Sequence, residues 1–173
     1  MITFLDEENN TLSQKSYDLC IFNIQFHQLN CSCGHAGCLH IHGYYTRKVK
    51  ATTESFRLKI CRVKCSVCGK THAILPSSIV PYSQLQLVCC CQIISDLNNG
   101  HNINSVCDCY VDVDENNVKS VIRRYTKYWK ERLFSERISL APIKSLILQC
   151  FLHYSMQFLQ VHRTVNLLFA KTT

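Results

Sequence analysis

Two groups of thiols carry the clearest chemistry in this sequence. The first reads Cys31-Ser-Cys33-Gly-His-Ala-Gly-Cys38 and the second Cys65-Ser-Val-Cys68-Gly-Lys-Thr-His72. A structural zinc ion takes four thiolate or imidazole ligands at about 2.0–2.3 Å, and one tight turn supplies two of them when a glycine relieves the backbone. Cys65-x-x-Cys68-Gly69 has the common form of such a turn. Cys33-Gly34 fits the second position of the other, which leaves Cys31 as its partner through a shorter Cys-x-Cys turn, with Cys38 competing. The expected ligands of a structural Zn2+ are therefore Cys31, Cys33, Cys65 and Cys68, with Cys38 as the alternate. His40 and His42 fall on one face of an expected strand, where stacking or a phosphate contact serves as well as ligation.

The other thiols offer less. Cys89-Cys90-Cys91 lies in a helical pattern, where neighbours point about 100° apart, so the three cannot close on one ion and packing is the better reading. Cys107-x-Cys109 with His101 lacks a second ligand pair. A thiol oxidoreductase would need its Cys-x-x-Cys on a βαβ scaffold, and a hydrolase would need a thiol beside a fixed base; no βαβ pattern is present. The expectation is a protein that is not an enzyme and has no small-molecule substrate.

Charge points to a partner instead. The chain has 173 residues and a formal net charge of +7, unevenly placed. Residues 47 to 70 hold eight bases against Glu54 alone, residues 71 to 118 hold five acids and no base, and residues 119 to 137 hold seven bases and two acids. Two separated basic patches suit a polyanion, because lysines and arginines on one surface release the counterions condensed on phosphates. The expected nucleic-acid contacts are Tyr45, Arg47, Lys48, Lys50, Arg57, Lys59, Arg62 and Lys64 in the first patch and Lys119, Arg123, Lys127 and Lys130 in the second. The first patch has an aromatic and basic edge of the kind that touches a nucleic-acid backbone.

Elements must position these groups. Residues 1 to 30 read as a lead-in strand or short helix. Leu39 to Lys50 and Phe56 to Cys65 read as a hairpin around Ala51-Thr-Thr-Glu-Ser55. Phe56, Leu58 and Ile60 alternate with Arg57, Lys59 and Cys61, after which the parity slips, so a bulge or twist is expected near Cys61. Thr71 to Tyr82, with Pro76 and Pro81, reads as a linker. Ser83 is expected to cap a first helix with the stripe Leu85, Val88, Cys89, Ile93 and Leu97, stopped at Asn98-Asn-Gly100. A short helix from Ile103 to Tyr110 follows, then an acidic turn at Asp112–Glu115 that caps a third helix with the stripe Val118, Val121, Ile122, Tyr125, Trp129 and Leu133. That order is the order of a helix-turn-helix, whose last helix can enter a major groove. Pro142 starts a last helix that covers the helical core or forms a homodimer contact, and the apolar tail from Val165 to Phe169 should dock. The expected fold class is α+β, with a zinc-ribbon hairpin module over residues 1–80 followed by an all-α, helix-turn-helix-like domain over residues 81–173.

Thirteen cysteines would suit a disulfide scaffold, but the Met1-Ile-Thr-Phe-Leu-Asp-Glu-Glu start has no basic segment, apolar core or cleavage site, so reduced thiols in a cytoplasm are expected. The apolar runs near Leu87–Ile94 and Leu146–Leu152 fall short of the roughly 18 residues that a membrane span needs.

Several stretches carry a resemblance. Cys33-Gly34, His42-Gly-Tyr-Tyr-Thr-Arg47, Arg62-Val-Lys-Cys-Ser-Val-Cys-Gly-Lys-Thr-His72, Leu75-Pro and Val80-Pro-Tyr-Ser83, with the segment Val118–Trp129 and His162-Arg-Thr, resemble an uncharacterised family of short bacterial proteins. Over about residues 30 to 130 the layout is also similar to the N-terminal zinc ribbon and helix-turn-helix of insertion-sequence transposases. The resemblance implies double-stranded DNA as partner, with ligand roles on the turn cysteines. The transposase catalytic core is not implied: it brings three spaced carboxylates to two metal ions, whereas the acids here cluster at the N-terminus and at 108–115. A DNA-binding regulator or mobile-element relative is the leading expectation. A zinc-ribbon adaptor for RNA or a protein is the alternative.

Overall fold

The computed structural model describes residues 1–6 and 12–161 together with the backbone of a closing strand at 167–170. The chain is mixed α+β and divides into two units. These units are not the sequence-continuous halves 1–80 and 81–173. The first holds residues 1–47 and 57–77 with the closing strand, and the second holds residues 48–56 and Ser78–Arg163.

The first unit is built on a sheet. Its strands are β1 (Ile2–Leu5), β2 (Leu39–Lys50), β3 (Ser55–Cys65), β4 (Thr71–Pro76) and β5 (Leu167–Ala170), in the order β2-β3-β4-β1-β5. β3 and β4 run antiparallel with Arg62 opposite Ala73 and Lys64 opposite Thr71, and β1 runs parallel to both β4 and β5. Thr71–Pro76 is therefore a strand, not the linker its prolines suggested. Ile74 and Leu75 are fully buried, and Pro76, at the last strand position, lies opposite Phe4 of β1, whose carbonyl accepts the Ser77 N–H at 2.8 Å. The tail's Leu167–Ala170 pairs along β1; Val165 and the His162-Arg-Thr segment lie outside the described residues.

Residues 1 to 30 supply both a strand and a helix, α1 (Gln14–Asn23), capped by a reciprocal pair between Ser13 and Ser16. Its buried face is Tyr17 and Ile21, while Leu19 and Phe22 face solvent. α1 substitutes for a neighbouring strand where β3 runs past β4. The Gln14 side chain accepts the Lys59 N–H at 2.7 Å and donates to the Lys59 carbonyl, and the Tyr17 hydroxyl accepts the Cys61 N–H at 2.9 Å while donating to the Ile74 carbonyl at 2.8 Å. The inward–outward alternation of β3 changes parity at this point, since adjacent Ile60 and Cys61 are both fully buried. As a result Arg57 and Lys59 before the change, and Arg62 after it, all face solvent, with Lys64 half-buried.

The second unit is helical: α2 (Leu87–Asn98), α3 (Ile103–Asp108), α4 (Glu115–Arg124), a π-helical turn at Tyr125–Trp129, α5 (Lys130–Ser135) and α6 (Ile143–Tyr154). α2, α3 and α4 each touch the other two. Buried side chains surround α2, with Leu87, Cys89, Cys90, Cys91, Ile93 and Ile94 all in the core. Ser83 does not cap it: the Ser83 hydroxyl accepts the Leu85 N–H, and the helix begins after Gln86. Asp114 caps α4 as the acidic turn predicts, its carboxylate accepting the Asn117 N–H at 2.8 Å. The stripe from Val118 to Leu133 is not one continuous α-helix, because the wider π turn rotates the residues after Tyr125 relative to those before it. Trp129 is fully buried, donates from Nε1 to the Gln160 carbonyl at 2.9 Å, and meets Tyr154 and Phe158 edge to face. Among the described residues, no helix is long and apolar enough to cross a membrane.

Candidate metal centre

Two turns of the first unit bring four sulfurs together. In the first, the Cys31 N–H donates to the His35 carbonyl and the Gly34 N–H to the Cys31 carbonyl, both at 2.9 Å. In the second, the Cys65 N–H donates to the Lys70 carbonyl at 2.9 Å and the Gly69 N–H to the Cys65 carbonyl at 3.0 Å. Gly34 and Gly69 have φ of +89° and +71°, a region that a side chain disfavours, and each directly follows the second cysteine of its turn. The turns are tied to each other through Ser66, whose N–H donates to the Cys38 carbonyl at 2.8 Å.

The sulfurs of Cys31, Cys33, Cys65 and Cys68 all lie within 4.8 Å of one another. Cys31 is 3.6 Å from Cys68, and Cys33 is 3.8 Å from Cys65. Four sulfurs about 2.3 Å from a tetrahedral ion stand about 3.8 Å apart, so this spacing suits a metal ion and is far too long for a disulfide. The four thiols can hold a metal ion. Cys31 and Cys65 are buried at the base of the site, and Cys68 is at its solvent edge.

Protons are shared unevenly among these thiols, and Cys68 is pushed up to about 12: the Lys70 N–H works against this, but burial and the hydrogen bonds with Cys65, Cys31 and Cys33 outweigh it. The Cys68 backbone N–H donates to the Cys65 sulfur at 3.4 Å and, against burial, holds the Cys65 pKa down to about 6. Cys31 is lowered as well: burial works against it, but the hydrogen bonds from the Cys33 backbone and thiol and from Cys68 outweigh burial. Cys38 goes the other way, pushed up to about 11 by burial and by the Cys65 sulfur 3.3 Å away. Its S–H donates to the His35 carbonyl at 3.2 Å. Geometry, not protonation, sets Cys38 apart: its thiol turns to the His35 carbonyl and stands outside the group of four sulfurs that lie within 4.8 Å of one another.

One contributor went unnoticed in the sequence. His72 on β4 is buried, and its Nε2 lies 3.3 Å from the Cys31 sulfur. Burial lowers its pKa, which favours a neutral ring able to donate Nε2–H to the sulfur. The available signal was the alternation of Thr71–Pro76, which places His72, Ile74 and Pro76 on one side of a strand. His40 and His42 are exposed on β2, away from such partners. Among the described residues, Cys107, Cys109 and His101 do not gather into a second group.

The basic residues fare unequally. In the first unit Arg57, Lys59 and Arg62 are exposed; Lys59 stands over the Tyr44 ring at 5.0 Å, and Arg62 donates to the Thr71 hydroxyl. Tyr45 and Arg47 are half-buried and hydrogen-bonded to each other. In the second unit Lys48 pairs with Asp112 at 2.9 Å, and that carboxylate also accepts from Ser55. Lys50 is only 6% exposed; its ammonium donates to Asn117 at 2.6 Å and lies 3.9 Å from Asp114. A buried, bonded ammonium cannot reach a phosphate, so the expectation for Lys50 is corrected to a structural role. Lys119, Arg123, Lys127 and Lys130 are exposed, Lys119 paired with Glu115 one turn back.

No curated protein and no solved structure matches the chain. One family model does, over residues 30–125, which span both metal-centre turns, the β-hairpin and the helices α2 to α4. That match covers more than half of the 173 residues, and the chain belongs to the family described as Domain of unknown function (DUF6431).

Proposed function

We propose that this chain is a non-catalytic, zinc-stabilised protein that binds double-stranded DNA, as a regulator or as a relative of the DNA-binding region of insertion-sequence transposases. Zinc is favoured as the ion because a closed set of four thiolates in tetrahedral spacing is its usual structural environment. The metal's work is conformational: it fixes the two turns that begin β2 and end β3.

The observation that carries the DNA reading is the row of solvent-facing Arg57, Lys59 and Arg62 on β3, the strand that runs into the Cys65 turn. An extended strand with a continuous cationic face suits a phosphate backbone. The second unit supports the reading separately. α2, α3 and α4 have the helix-turn-helix order, and Arg123 lies exposed on α4 with Lys127 and Lys130 just beyond it.

A salt titration of duplex affinity tests this. Affinity should fall steeply with salt, and the double change Lys59→Ala with Arg62→Ala should reduce the slope of log K against log salt by about 0.9 for each phosphate that is no longer neutralised. A salt-insensitive background, unchanged in the double variant, would exclude duplex DNA and favour the zinc-ribbon adaptor for RNA or a protein.

A further inference from the structure

A small pocket in the helical unit is lined by Pro81, Tyr82, Arg123, Arg124, Tyr128 and Val161 and has a volume of about 160 Å³. Pockets for free drug-sized ligands run from about 300 to 1,000 Å³, so this one is suited to a single group of a larger molecule. Its ionisable lining is two arginines and two tyrosines, with no acid among the six.

The two arginines have different tasks. Arg124 turns its guanidinium on the preceding turn, donating to the Tyr82 carbonyl at 2.8 Å and to the Pro81 carbonyl at 3.3 Å. Those bonds hold Tyr82 in the left-handed region, at φ +56°, which a tyrosine seldom adopts. Such strain persists only where the surroundings enforce it, and Tyr82, held this way, is 62% exposed as a residue and lines the pocket. Arg123, next along α4, is exposed and has no ion pair among the described residues. Lys127 stands over the Tyr128 ring at 5.2 Å and adds a second cation beside the pocket.

A presented aromatic face, an arginine and a nearby lysine in a pocket the size of one group are the parts that hold an unstacked base and its phosphate. We propose that this pocket binds one unpaired nucleotide of a nucleic-acid strand, with its phosphate on Arg123 and its base against Tyr82. Arg124 is the positioning residue that sets the Tyr82 turn. The inference rests on the proposed nucleic-acid binding but requires an unpaired nucleotide, which duplex binding does not.

The test uses the metal-loaded full chain with three fluorescent probes: a blunt duplex, the same duplex with a single-stranded overhang, and a free mononucleotide. Wild type should prefer the overhang to the blunt duplex. Tyr82→Ala and Arg123→Ala should each weaken overhang binding about ten-fold more than blunt-duplex binding, while Tyr82→Phe retains it. Unchanged thermal melts would show that the exposed-site variants fold. If the overhang carries no advantage, or the variants weaken both substrates equally, the pocket proposal is overturned and the duplex reading stands. Overhang binding without blunt-duplex binding would uphold the pocket and reject the duplex reading. Saturable binding of the mononucleotide alone would reject the proposal in favour of a free nucleotide ligand.

Discussion

The Tyr17 hydroxyl stands between two strands, accepting the Cys61 N–H at 2.9 Å and donating to the Ile74 carbonyl at 2.8 Å. Cys61 and Ile74 are the next opposed pair after Arg62 and Ala73 in the β3–β4 register, so a side chain from α1 replaces a direct bond between strands. Tyr17→Phe keeps the ring against Phe4 but leaves both backbone groups without this partner. The variant should lose about 1–3 kcal/mol in urea unfolding, the cost of unsatisfied buried polar groups. A loss within error of zero would mean that β3 and β4 close the gap directly.

Lys50 illustrates how burial changes a basic residue's role. Its ammonium bonds Asn117 at 2.6 Å while its own backbone donates to Gln84 and accepts from Gln86. Lys50→Ala should destabilise the protein by about 1–3 kcal/mol, since the Asn117 side chain loses its charged donor. The salt dependence of DNA affinity should be unchanged. A reduced salt slope in a stable variant would return Lys50 to the phosphate-contact set.

The thiols of α2 and α6 should be inert. Burial pushes Cys89 up to about 11 and Cys91 and Cys150 up to about 12, and it raises Cys90 as well. Only the thiolate reacts with alkylating agents. Iodoacetamide at mildly alkaline pH, read by peptide mass spectrometry, should modify exposed Cys109 while leaving these four unmodified until the protein is denatured. Early modification of the Cys89–Cys91 run in native protein would contradict a core role.

His72 and the metal centre offer a finer test. Removing a group that hydrogen-bonds a metal ligand typically lowers affinity about 10–100-fold without changing the number of ions bound. His72→Phe should show that loss in competition with a chromophoric chelator and still bind one ion. Complete loss of the ion from a folded variant would make His72 a ligand.

Much of the ligand geometry was legible because it is local. A glycine directly after the second cysteine marks each turn, and the four sulfurs that meet are those the spacing selected. The choice against Cys38 was not legible, since it depends on a carbonyl of His35 that only the folded turn aims at it. The sheet was underread for a related reason. β1 and β5 are short and pair only with segments distant in sequence, so neither carries a hairpin signal, and the prolines near β4 mask a strand. The slip in alternation at Cys61 was visible, but its cause, Tyr17, lies 44 residues away. Lys50 was misjudged because charge patterning does not show which lysine meets an asparagine on a distant helix.

The central claim is that Cys31, Cys33, Cys65 and Cys68 hold one zinc ion that shapes the first unit. Cobalt substitution tests it most directly, because tetrahedral thiolate coordination gives intense visible and charge-transfer bands whose strength reports the number of sulfur ligands. One Co2+ per chain with a four-thiolate spectrum, displaced stoichiometrically by Zn2+, is the predicted result; serine at any of the four positions should weaken it, and Cys38→Ser should not. A protein that folds fully without metal, or one whose spectrum needs Cys38 and is indifferent to Cys31 or Cys33, would contradict the account.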